Sequence, residues 1–174
     1  MSQLRTNSIV PVGGIPAGAS GGGIIQVVQT VKTDAFTTNA GNGVFVDLTG
    51  LSVTITPRSA SNKILVSYSV QGCEPNNAGT HTKLQRNSSD ILLGDAASGE
   101  TRCTTGGFFR ASGANEVSTH YIQYVDSPGT TSAVTYKIVC SGGGGLLTVN
   151  RSSNTGLVYN PRCVSIITAM EVSG

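Results

Sequence analysis

From Leu51 onward the chain alternates apolar and polar residues with a period of two, a pattern that fits half-buried β-strands and no helix. Leu51, Val53 and Ile55 stand against Ser52, Thr54 and Thr56; after a turn, Ile64, Val66, Tyr68 and Val70 stand against Leu65, Ser67 and Ser69. Pro57, Ser59, Ser61 and Asn62 supply that turn. The period returns in Thr82, Leu84 and Arg86, in His120, Ile122 and Tyr124, in Val134, Tyr136, Ile138 and Cys140, and in Val164, Ile166, Thr168 and Met170. Val44, Val46 and Leu48 alternate around Phe45 and Asp47, whereas Ile24–Lys32 reads as a strand buried on both faces near its start. Roughly eight strands separated by turn signals predict an all-β fold, a jelly-roll β-sandwich with an extended N-terminal arm.

The arm is residues 1–23 and the sandwich residues 24–174. Pro11, Pro16, the pair Gly13 and Gly14 and the triplet Gly21 to Gly23 deny the arm an independent fold. Its Leu4, Ile9, Val10, Val12 and Ile15 are nevertheless more apolar than a simple solvated tail requires. These five are expected to dock the arm into a groove of a neighbouring chain. The remaining roughly 150 residues suit one domain with one core. With no Trp, that core must be built mostly from Val, Ile and Leu. Two patternless stretches, Gly94 to Asn115 and Gly142 to Asn160, are expected to face outward, the first as an exposed loop or a pair of short edge strands, with Phe108, Phe109 and Arg110 as its contact residues.

Charged residues make up 11% of the chain, and the formal net charge of +2 comes from scattered positions rather than a stripe. That distribution argues against a nucleic-acid partner. No run approaches the roughly eighteen apolar residues of a membrane helix, and the start lacks the basic and apolar regions of a signal peptide, so neither membrane insertion nor leader-directed secretion is expected. Cys73, Cys103, Cys140 and Cys163 lie too far apart in sequence for a zinc knuckle and are expected to be reduced and mostly buried. Cys140 closes an alternating set, while Cys163 falls out of frame at a strand entrance. His81 and His120 lack a chelating neighbour two or four positions away and read as structural or surface residues. Asp47, Asp90 and Asp126 sit where turns favour Asp. The glycines Gly142 to Gly145 are followed by Leu146 and Leu147 and not by the Lys-Ser/Thr of a phosphate loop. No catalytic, metal-binding or cofactor-binding residue is predicted, and a non-enzymatic role is expected.

Several phrases carry a resemblance. Met1 to Gly14 (MSQLRTNSIVPVGG), Ile24 to Thr33 (IIQVVQTVKT), Asp47 to Val66 (DLTGLSVTITPRSASNKILV), Asp126 to Ile138 (DSPGTTSAVTYKI) and Ile167 to Val172 (ITAMEV) resemble virion structural and tail-fibre-associated proteins of tailed bacteriophages, notably marine and cyanobacterial ones. The resemblance implies a homotrimeric jelly roll similar to C1q and tumour-necrosis-factor heads, carried on the particle by its N-terminal segment. It implies other virion proteins of capsid or tail as partners, assembly in the bacterial cytoplasm and residence in the virion. Tail-fibre or appendage component is the leading expectation; capsid decoration (cement) and host-receptor-binding adhesin are the alternatives. The family brings no catalytic residues with it, and no cofactor.

Overall fold

The computed structural model describes residues 23–41, 43–73, 79–107, 117–144 and 146–173. Within them eleven strands and no helix are found: β1 (Ile24–Lys32), β2 (Phe36–Thr38), β3 (Val46–Ile55), β4 (Lys63–Cys73), β5 (Thr80–Arg86), β6 (Ser89–Ile91), β7 (Thr105–Gly107), β8 (Ser118–Asp126), β9 (Val134–Gly142), β10 (Leu147–Val149) and β11 (Ser165–Val172). They make two antiparallel sheets. In the first, β4 pairs along one edge with β8 and along the other with β11 and then β10, which are bordered in turn by β1 and β2. In the second, β9 lies between β3 and β5, and β6 and β7 share the far edge of β5. The result is four lanes against four, with the chain crossing between sheets as a jelly roll does.

The period-two reading places the core correctly over most of its length. Leu51, Val53 and Ile55 of β3, Ile64, Val66, Tyr68 and Val70 of β4, and Val134, Tyr136, Ile138 and Cys140 of β9 all point between the sheets and are buried. Val46 to Ile55, read above as two runs, is a single strand. Leu48 and Leu51 are both buried because the register shifts between Asp47 and Ser52, where Gly50 adopts φ 84°. A β-bulge at a residue free to enter the left-handed region restores the inward face after one extra residue. The hairpin joining β5 to β6 turns through Asn87 and Ser88, at φ 47° and 68°, as a two-residue loop with both central residues left-handed requires.

Four expectations are corrected. β1 is not buried on both faces: it is an edge strand with Ile24, Val27 and Val31 exposed, because only Val28 of its apolar residues reaches the core. In β11 Ser165, Ile167, Ala169 and Glu171 point inward and are buried, so the apolar set Ile166 and Met170 faces outward, with Thr168 covered between them on the same outer side. Residues 142–160 are not all loop, since β10 lies inside them with Leu147 and Val149 in the core; the excursion between Asn150 and Ser165 remains. Asp126 is not a turn residue. It ends β8 at 4% exposure, where Arg86 Nη1 donates to both its oxygens at 2.9 Å and the Tyr136 hydroxyl donates to Oδ2 at 2.6 Å.

That Asp126 cluster joins the two sheets, and burial together with the carboxylate pushes the Tyr136 hydroxyl pKa well up, so it remains a donor. Tyr136→Phe is expected to lower the unfolding free energy by about 2 kcal/mol, the cost of one bond to a charged acceptor. Urea titration at neutral pH measures it; an unchanged midpoint would show the bond to be dispensable. No disulfide joins the four cysteines: Cys73 and Cys140 are buried, Cys103 and Cys163 half-buried.

Candidate functional site

The outward side of the first sheet has an unusual composition, and the strand register arranges it in rows. One row runs Val27, Met170, Leu65 and Val125 across β1, β11, β4 and β8. The next is Gln29, Thr168, Ser67 and Gln123, and the third is Val31, Ile166, Ser69 and Tyr121. Directly opposed residues in an antiparallel sheet share a face, so these rows form one continuous surface. Val27, Val31, Tyr121 and Val125 are exposed by 54%, 49%, 59% and 56%. The polar row is internally bonded, with Gln29 Nε2 donating to Thr168 Oγ1 at 2.9 Å. None of the three rows carries a charge.

The second sheet shows what an ordinary solvated face looks like here. Its outward row is Ser52, Lys137, Gln85 and Asp90. Lys137 pairs with Asp47 at 2.9 Å, and Lys83 pairs with Asp90 at 2.8 Å while its ammonium sits 4.3 Å over the Phe45 ring. Charges scattered among hydroxyls and amides keep a face hydrated; a face without them, carrying Val, Leu, Met and Tyr, loses less on leaving water. Across the polar and third rows the uncharged face holds a shallow groove of about 160 Å³, lined by Ser67, Tyr68, Ser69, Tyr121, Ile166 and Thr168.

Beside this face the lane of β10 and β11 is interrupted. Asn150 N–H donates to Gln71 O at 2.8 Å, and Ser165 Oγ donates to Asn150 Oδ1 at 2.6 Å, so Asn150 and Ser165 are neighbours although they lie 15 positions apart in the chain. The chain between them leaves the sheet and returns, with Arg151 bridged to Arg162 at the base. Its apex carries Leu157, Val158 and Tyr159 exposed by 53%, 106% and 62%. Asn160 N–H donates to Leu157 O at 3.0 Å and Leu157 N–H to Asn160 Oδ1 at 2.9 Å, which fixes the turn.

Of the two histidines, His81 is half-buried in β5 and its Nδ1 finds no hydrogen-bond partner among the described residues, whereas His120 is held by its neighbours. His120 lies between the sheets, bonded to Thr80 Oγ1 through Nε2 and to Thr105 Oγ1 through Nδ1 at 3.3 Å. Among the described residues no group of three or more His, Cys, Asp or Glu side chains is placed to hold a metal ion. The arm residues Leu4, Ile9, Val10, Val12 and Ile15, and the loop residues Phe108, Phe109 and Arg110, lie outside the described residues. The outward rows are hidden in the sequence because the alternating set that enters the core dominates the pattern. The signal was present in the complementary set: Leu65, Ser67 and Ser69, like Tyr121, Gln123 and Val125, hold no charge in a position that solvent-facing strands usually charge. Compared with protein-family models and with curated proteins, the sequence matches none.

Proposed function

We propose that this chain is a non-enzymatic structural component of a tailed-phage virion: a jelly-roll knob that associates as a homotrimer through the outer face of its first sheet, carried by the segment before Gly23 as part of a tail fibre or other appendage. The observation that carries the self-association is the uncharged three-row face, set against the charged face of the opposite sheet. The resemblance to virion proteins supports the location. The termini of the sandwich agree with attachment from one end, since Ser173 N–H donates to Gly23 O and places both where a single tether can hold the knob.

Leu65→Glu tests the interface. Leu65 sits at the centre of the fully apolar row between Met170 and Val125. A carboxylate there remains solvated in the separated chain, yet in the assembly it would be buried without a partner. Dissociation is expected to be favoured by about a hundredfold or more, with thermal stability of the single chain nearly unchanged. Equal association by the variant would remove this face from the interface. A cryo-EM map of the intact particle tests the location: the knob is expected at the tail, and a lattice of copies over the capsid would replace the appendage reading with decoration.

A further inference from the structure

The excursion between Asn150 and Ser165 supplies the second half of a threefold contact. A trimer cannot be closed by one patch meeting its own copy, because that arrangement generates a twofold dimer; each chain must offer two different patches, one fitting the other around the ring. The uncharged face is one such patch. Between Cα positions its three rows span roughly 14 Å in each direction, a few hundred Å² of accessible surface against the about 800 Å² per partner that a stable association buries. A second, complementary patch is therefore needed, and it must be apolar and convex to match a flat face with a groove.

The apex has those properties. Leu157, Val158 and Tyr159 are consecutive and exposed, in a turn whose shape is set by the paired bonds of Leu157 and Asn160. A turn fixed in this way loses little entropy on docking. The excursion is also continuous with the face: Val164, exposed by 46%, precedes Ile166 by two positions, and Ile166 lines the groove. At the base, Arg151 stands opposite Arg162, and neither forms an ion pair among the described residues. Like charges facing each other across a bridge are unfavourable in an isolated chain.

We infer that the Leu157–Tyr159 apex of one copy seats in the Tyr121–Ile166 groove of the next, so that the excursion determines trimerisation as much as the flat face does. The inference rests on the self-association proposed above, and its test separates the two. Leu157→Ser with Val158→Ser alters only exposed side chains and leaves the fold intact, which the melting temperature of the variant at dilute concentration confirms. Sedimentation of the full chain across a concentration series then measures assembly. The double variant is expected to dissociate at about ten- to a hundredfold higher concentration than the unmodified protein. Groove substitution by Tyr121→Ser is expected to do the same, and combining it with the apex variant should add little, since both remove one contact. A trimer that dissociates at the same concentration with or without the apex overturns the inference and leaves the flat face standing. An unmodified chain that remains single overturns both.

Discussion

Glu171→Ala is expected to lower the unfolding free energy by about 3–5 kcal/mol, among the largest effects available to a single substitution in this fold. Glu171 is fully buried on the inward face of β11 and joins no ion pair among the described residues. Its carboxylate is held by neutral donors instead. Asn62 Nδ2 donates to Oε1 at 2.5 Å, the Arg58 N–H donates to the same oxygen at 2.7 Å, and Gln26 Nε2 donates to Oε2 at 2.5 Å. These bonds tie β11 to β1 and to the turn between β3 and β4, so truncation leaves buried donors unpaired at three places. Burial pushes the carboxyl pKa up, but the bonds from Asn62, Gln26 and the backbone of Arg58 and Ser59 outweigh it and hold it below the ordinary glutamate value. A depressed folded-state pKa contributes stability that is present above about pH 4.5 and lost as pH falls through the folded value. Glu171→Gln keeps the volume but turns an amide N–H toward donors, and should remove that acid-dependent component. Urea midpoints of both variants at pH 7 measure the effect; loss below about 1 kcal/mol would mean that the turn does not depend on the carboxylate.

Acidification below neutrality is expected to destabilise the sandwich well before Glu171 titrates, because of His120. Burial, with a smaller contribution from the nearby His81, pushes the His120 pKa down to about 4. His81 is lowered by burial as well, and its Nδ1 is buried with no hydrogen-bond partner among the described residues. The His120 ring meets the hydroxyls of Thr80 and Thr105, the latter within a set that includes Tyr68 and Thr82. In the unfolded chain His120 takes up its proton near pH 6.5, so between there and about pH 4 the unfolded state binds more protons. Stability is therefore full above pH 6.5 and falls progressively toward pH 4, by about 3 kcal/mol from this group alone. His120→Gln should flatten that part of the profile while leaving the Glu171 part below it. An NMR titration giving His120 an ordinary imidazole pKa would refute this account.

The strand lanes were legible in the sequence because period two is imposed by the pleat, and one buried face is enough to reveal it. Leu51 to Ile55 and Ile64 to Val70 needed nothing else. What failed did so where both faces of a strand are apolar. β11 reads Ile166, Ile167, Ala169 and Met170, and periodicity cannot say that Ile167 and Ala169 enter while Ile166 and Met170 stay outside; the deciding fact is Glu171, whose inward carboxylate finds its donors only in the folded state. β1 misled in the same way, with Ile and Val on a face that none of the described strands covers. The bulge at Gly50 hid the unity of β3 by shifting the frame midway. The candidate surface was harder still, since its rows join residues more than a hundred positions apart and exist only once the register of four strands is known.

The mass of the native protein in solution tests the central claim most directly. Sedimentation equilibrium of the full chain at micromolar concentration is expected to give three times the 17.8 kDa of one chain, with Leu65→Glu returning it to one. A mass of 17.8 kDa for the unmodified protein across that range would contradict it, and the uncharged face would then need a different partner.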